Sequence, residues 1–210
     1  MDNLSEDEVA IVELVRDWVT NEVKPVARGL EHADTYPESL IEQMKQMGIF
    51  GLAIGEPWGE TRVGLPCYVL VTEELARGWM SLAGAMGGHT VVAKLLQEYG
   101  TREQQDRYLP RMATGELRAT MALTEPGGGS DLQAIRTIAS REGDHYVVSG
   151  SKMWITNARR SGLIALLCKT DPAAVPPHRG VSILLVEKGP GFTVSRDLPK
   201  LGYKGVESCE

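Results

Sequence analysis

Over about the first 115 residues of the chain, apolar positions recur every three or four residues, the spacing of one helix face. Ser5-Glu6-Asp7-Glu8 has the form of a capping box, and Val9, Val12, Val15, Val19 and Val23 follow it at that spacing. Pro37 stands at a helix start. Leu40, Ile41 and Met44 then give an apolar stripe that stops at Gly48. A further helix is predicted over about Tyr68–Ala76. Thr101-Arg102-Glu103-Gln104 opens the last one, which runs toward Met112 and stops near Gly115. After Glu116 the pattern shortens. Met121–Leu123, Tyr146–Ser149, Met153–Thr156, Leu163–Cys168, Val181–Val186 and Phe192–Val194 are short apolar or alternating runs. Glycine- and proline-rich turn signals separate them, from Gly127–Gly129 to Gly189-Pro190-Gly191. The expected fold is α+β: an N-terminal helical domain over 1–116, then a small antiparallel barrel or sandwich over 117–210.

The balance of charge removes some functions from consideration. A net charge of −6 and a pI near 5.3, with no cluster of Lys or Arg, exclude a nucleic-acid surface. Cys67, Cys168 and Cys209 are far apart and odd in number, and His32, His89, His145 and His178 are equally scattered. They read as reduced thiols and isolated imidazoles, with no metal-ligand spacing. The start Met1-Asp2-Asn3-Leu4-Ser5-Glu6-Asp7-Glu8 is acidic, unlike a signal or transit peptide, and no apolar run reaches the length of a membrane span. A cytoplasmic protein is expected. Val206-Glu207-Ser208-Cys209-Glu210 reads like the beginning of a strand, so the chain is expected to be a fragment or a truncated subunit.

Two segments carry candidate chemistry. Ala122-Leu123-Thr124-Glu125-Pro126-Gly127-Gly128-Gly129-Ser130-Asp131 is an apolar strand that breaks into a hydroxyl, a proline and three glycines. The glycines remove every Cβ from the turn, so backbone N–H groups can approach a ligand, and Thr124 and Ser130 set hydroxyls at its two lips. Lys152-Met153-Trp154-Ile155-Thr156-Asn157 offers a flat aromatic two residues before another hydroxyl, and on a strand Trp154 and Thr156 share a face. Together they suit a planar heteroaromatic cofactor that carries phosphates. Taken singly, the glycines fit an ordinary loop and Trp154 a core aromatic.

These two blocks, in this order and at this separation, resemble the signature of the acyl-CoA dehydrogenase family, flavoenzymes that bind FAD. The likeness continues to Lys200-Leu201-Gly202-Tyr203-Lys204-Gly205. Family members oxidise the Cα–Cβ bond of an acyl-CoA thioester: a glutamate removes the α proton while a hydride leaves Cβ for N5 of the flavin. The resemblance implies that Met121, Ala122, Leu123, Thr124, Gly129 and Ser130 line the flavin ring and its pyrophosphate, with Ser130 also next to the CoA portion of the substrate. Trp154, Ile155 and Thr156 would pack against the isoalloxazine, Thr156 near N5. It further implies acyl-CoA as substrate, an electron-transfer flavoprotein as electron acceptor, and a homotetramer.

Glu125 lies inside the signature, but a glutamate before proline in a tight turn reads as a structural acceptor. The family's base lies in a C-terminal helical domain beyond this sequence, so no catalytic residue is assigned. Asp131 is expected to cap the turn. Arg159 and Arg160 read as a solvated pair or as partners of a CoA phosphate. Ala83-Gly84-Ala85-Met86-Gly87-Gly88 falls, by the resemblance, where the acyl pocket ends. Ala83, Gly84 and Gly87 either deepen that pocket for a long or bulky acyl group or let helices pack closely. A same-fold flavin oxidase or monooxygenase, and a non-catalytic flavin- or CoA-binding subunit, are the alternative functions.

Overall fold

Ser5 opens the first helix as its sequence predicts: its hydroxyl accepts from the Glu8 N–H while the Glu8 carboxylate accepts from the Ser5 N–H. The computed structural model describes residues 4–210, so the acidic reading of Met1–Asn3 lies outside the described residues. The chain divides into two units, one of residues up to Arg118 together with Pro199–Val206, the other of Ala119–Leu198 with Glu207–Glu210.

In the helical unit, α1 (Glu6–Trp18) passes through a π turn at Val19–Val23 into α2 (Lys24–Ala33), which ends on Asp34 at φ 50°. Pro37 precedes α3 (Glu38–Gln46), and Gly48 at φ 70° stops it, a conformation that only glycine adopts freely. The helix predicted over Tyr68–Ala76 is the middle of a much longer one, α4 (Leu65–Tyr99). α5 (Arg102–Ala113) starts at a second reciprocal cap between Thr101 and Gln104. The valine stripe does what its period requires: Val12, Val15, Val19 and Val23 are buried with Ile41, Met44, Phe50, Leu75, Leu82 and Met86 in one core. Each such side chain contributes roughly 1.5–3 kcal/mol on leaving water.

α4 carries one interruption. Trp79 sits at φ −163°, ψ 113°, extended backbone inside a helix, and its indole N–H donates to Glu31 at 2.7 Å. Residues 199–206, expected within the β domain, instead belong to the helical unit. There Val206 joins the core, the Lys204 N–H donates to Glu31 and the Gly205 N–H to Asp34, both at 3.0 Å. The Ser81 hydroxyl donates to the Lys204 carbonyl.

The β unit comprises β1 (Ala119–Ala122), β2 (Ile138–Glu142), β3 (His145–Ser149), β4 (Ile155–Thr156), β5 (Leu163–Lys169), β6 (Val181–Glu187) and β7 (Ser208–Cys209). β5 is its axis. It pairs antiparallel with β6 over its whole length, parallel with β1, and parallel with the start of β2 through Lys169 and Ile138. β2 and β3 form a hairpin, and β4 and β7 make a separate two-stranded ribbon. The sheet is therefore mixed, where an antiparallel one was expected. β5 is buried nearly throughout, which explains its continuous apolar run. Phe192–Val194 forms no strand. No helix of the described residues is long and apolar enough to cross a membrane.

Candidate functional site

The glycine-rich turn leaves β1 at Ala122 and is closed on itself by two 3.0 Å bonds, Glu125 N–H to the Gly128 carbonyl and Gly128 N–H to the Glu125 carbonyl. Gly127 and Gly128 are exposed, and a Cβ built on either meets nothing within 4 Å. The turn therefore presents bare backbone beside open space, a cradle that side chains would fill. A Cβ at Gly129, by contrast, would press on the Thr124 side chain at 3.2 Å. Ser130 is exposed, and Asp131 caps the short turn Leu132–Ala134 through the Gln133 N–H at 3.1 Å.

Trp154 does not lie on a strand, which corrects the expectation that it shares a strand face with Thr156. It sits before β4 at φ 63° with half its surface exposed. A bulky residue in the left-handed region costs on the order of 1–3 kcal/mol and persists only where neighbours over-determine it. Here they do. The Met153 N–H donates to the Thr124 carbonyl at 2.8 Å, and β4 pairs with β7 immediately after. Thr156 is half-buried, and its carbonyl accepts from the Thr120 hydroxyl of β1 at 2.8 Å. Met121, Ala122, Leu123, Thr124, Trp154, Ile155 and Thr156 are thus brought to adjacent positions: the turn and the tryptophan segment are bonded directly through Thr124.

Within the turn lies the carboxylate that the sequence reads as a structural acceptor. Glu125 is 7% exposed and accepts four hydrogen bonds from protein donors around its carboxylate. These come from the Thr137 N–H at 2.9 Å, the Thr137 hydroxyl at 2.6 Å, the Arg136 N–H at 2.6 Å and the Lys152 ammonium at 2.9 Å. Burial alone pushes the carboxyl up, but the Thr137 hydroxyl, Lys152 and the two backbone N–H groups outweigh it and bring it down to about 2. A carboxylate held by four donors, with its pKa lowered this far, is a poor acceptor for a proton from substrate. Glu125 is structural, as its place before Pro126 suggests. Lys152, the cation of this group, has no local sequence signal that marks it.

Arg159 pairs with Asp197 at 2.7 Å and Arg160 with Glu207 at 3.8 Å. Both are already engaged by carboxylates. Ala83, Gly84 and Gly87 lie on α4 in the helical unit, and they differ. A Cβ on Gly84 would overlap the Tyr203 phenol, whereas one on Gly87 meets nothing within 4 Å. At Gly84 the absent side chain makes room for a tyrosine ring. Among the described residues no group of three or more His, Cys, Asp or Glu is placed to hold a metal ion.

Comparison with known proteins shows the family. Residues 5–116 match the acyl-CoA dehydrogenase N-terminal domain, and residues 120–210 match the acyl-CoA dehydrogenase middle domain. Mitochondrial isovaleryl-CoA dehydrogenase of Pongo abelii is 31% identical over all of this chain and 51% of its own length. The crystal structure of an acyl-CoA dehydrogenase from Geobacillus kaustophilus superposes with a TM-score of 0.90 at 37% identity, over 99% of this chain and 55% of that one. A glutaryl-CoA dehydrogenase from Mycobacterium smegmatis in complex with FADH2 gives 0.88 at 28% identity, over 98% of this chain and 52% of that one. The chain spans about half the length of the relatives it matches.

Proposed function

The chain belongs to the acyl-CoA dehydrogenase family, and on that footing we propose that it supplies the FAD platform of an enzyme that oxidises the Cα–Cβ bond of an acyl-CoA to the trans-2-enoyl-CoA. The observation that carries this reading is the joining of two features. The bare glycine backbone of Gly127–Gly128 lies beside open space, and the strained, half-exposed Trp154 is bonded to the same turn through Thr124. A Cβ-free turn lets a phosphate-bearing group approach its backbone closely, and an exposed indole next to it offers a face for a flat ring.

FAD, when bound, supplies the hydride acceptor. This chain's part is to hold and orient it. Met121, Ala122, Leu123 and Thr124 would meet the ring edge, Thr124 through its N–H and hydroxyl. Gly129 and Ser130 would meet the pyrophosphate, with Ser130 shared by the CoA portion of the substrate. Trp154 and Ile155 would cover the ring, and the Thr156 hydroxyl would stand near N5. Glu125, committed to four donors, is not the base that takes the α proton. An electron-transfer flavoprotein is the proposed acceptor, within fatty-acid β-oxidation. Gly87 supports a deep acyl pocket better than Gly84, whose space Tyr203 fills.

Anaerobic titration of the full-length protein with a long-chain saturated acyl-CoA, followed by visible flavin absorption, tests the reading. Bleaching of the flavin band is expected. A band unchanged across butyryl-, octanoyl- and palmitoyl-CoA would overturn the dehydrogenase assignment, and a sharp preference for butyryl-CoA would overturn the deep pocket.

A further inference from the structure

Glu125 and Lys152 form an ion pair at 2.9 Å with side chains only 7% and 8% exposed. A pair buried to this degree is often no more stabilising than well-packed apolar side chains in its place, so stability alone does not account for it. Its position supplies a reason. Glu125 belongs to the glycine-rich turn, its partners Arg136 and Thr137 lead into β2, and Lys152 opens the tryptophan segment. A single carboxylate thus ties three separate pieces of chain at one point.

Lys152 does more than neutralise it. Its ammonium also donates to the Leu123 carbonyl at 2.9 Å, while the next carbonyl, Thr124, accepts from the Met153 N–H at 2.8 Å. Two successive peptide planes are therefore fixed by the same short segment. In a trans peptide the C=O and N–H point in opposite directions, so holding the Leu123 oxygen toward Lys152 turns the Thr124 N–H away from it. A cation on a carbonyl also polarises the whole peptide and makes that N–H a stronger donor.

We propose that Glu125 and Lys152 are positioning residues for the flavin, acting through the Leu123–Thr124 peptide, and that the balance of their charges sets its reduction potential. The inference rests on the FAD reading above, which places the ring edge on Thr124. Reduced flavin carries more negative charge than oxidised flavin. A nearby lysine favours the reduced form, and an uncompensated carboxylate opposes it.

The test uses full-length protein, FAD titration of the apo form and spectroelectrochemistry of the loaded form. Lys152→Met leaves the carboxylate uncompensated and is expected to weaken FAD binding at least about tenfold and to lower the midpoint potential. Glu125→Gln leaves the cation and is expected to raise the potential. The double variant is expected to fall between the two, and Lys152→Arg to return toward the native value. Shifts of the same sign in both single variants would overturn the proposal, since loosened packing alone would move them together. Native affinity and potential in both would overturn it as well. Should either single variant fail to fold, Thr137→Val keeps both charges and removes one bond to Glu125. A smaller shift in the direction of Lys152→Met is expected, and a folded Thr137→Val protein at the native potential would overturn the proposal. Native protein that takes up no FAD would sink the FAD reading and this inference with it, whereas native uptake with unaffected variants sinks this inference alone.

Discussion

The helical unit and the β unit are ordered by different forces. In the first, a continuous core of valines, leucines, Phe50 and Met86 is sealed from water, with Glu74, Ser81, His89 and Thr90 as the buried polar side chains among the described residues of that unit. In the second, the buried cluster beside β4 is small, made of Ala122, Ile155, Ala158, Ile164 and Cys209. β3 is exposed throughout, Tyr146, Val147 and Val148 included. What fixes the shape of the β unit around its turn is polar: the bonds gathered by Glu125, Lys152 and Thr124. Apolar packing tolerates small adjustments, while a hydrogen-bonded charge fixes a peptide plane to a direction. The unit that offers bare backbone and a strained tryptophan is the one that uses the second means.

The largest expected effect breaks the comparison at its apolar side. Phe50 is 1% exposed in the helical core, with its ring edge-on to His89 at 5.3 Å between centroids. Phe50→Ala is expected to cost about 3–5 kcal/mol, the range for a large buried aromatic. Val147→Ala, at a residue 44% exposed on β3, is expected to stay within about 0.5 kcal/mol of native. Urea unfolding of both variants checks the pair, and equal costs would show that β3 is covered in the working protein.

Acid separates the units by different titrations. His89 is buried, and that burial, helped by the charge of Arg118, drives its imidazole from 6.5 down to about 4 despite backbone bonds that favour the proton. Between those values the unfolded chain binds a proton that the native state refuses, so helical stability falls as pH drops from about 6.5 to 4. Glu125 works through the opposite change in a lower window. Its carboxylate is ionised in the native state down to about 2, against 4.5 ordinarily, so its contribution is full above 4.5 and is lost between 4.5 and about 2. Each amounts to something on the order of 3 kcal/mol. Hydrogen exchange read peptide by peptide on a pH series is expected to show α4 loosening first and the turn at Glu125 afterwards. His89→Gln is expected to remove the upper step alone, and a single step common to both units would contradict the assignment.

How much of this the sequence discloses follows the same division. Helix starts at Ser5, Pro37 and Thr101 and the stop at Gly48 are local chemistry, and they lie where the residues say. The continuity of α4 is not local. Gly84, Gly87 and Gly88 lower helix propensity there, yet Leu82, Ala85, Met86 and His89 are buried, and tertiary packing overrides propensity. β2 lacks an apolar run because its pattern is mostly exposed. The place of residues 199–206 depends on partners 171 and 173 positions away, which no window of sequence contains. The turn of the candidate site was legible from three glycines, and the ion pair beneath it was not. Glu125 and Lys152 are 27 residues apart, and neither breaks its local pattern.

The smallest effect sharpens the comparison within the helical unit, at two glycines of one helix. In an exposed helix interior Gly→Ala is worth roughly 0.5–1 kcal/mol of stability, because alanine has less backbone freedom to lose. Gly87, half-buried, has room for a methyl, with nothing within 4 Å of a Cβ, and Gly87→Ala is expected to stabilise the protein by about that amount. Gly84 does not, since the new methyl would run into the Tyr203 ring. Gly84→Ala is therefore expected to destabilise, by about 1–3 kcal/mol, the usual cost of overpacking. Thermal unfolding of both variants decides the sign at each position. A double-mutant cycle with Tyr203→Ala then assigns the cause: if the ring is what alanine strikes, Gly84→Ala should become stabilising once the ring is gone. A cost that survives the loss of the ring would mean that Gly84 answers to something other than Tyr203, and the pocket reading of that position would regain its support.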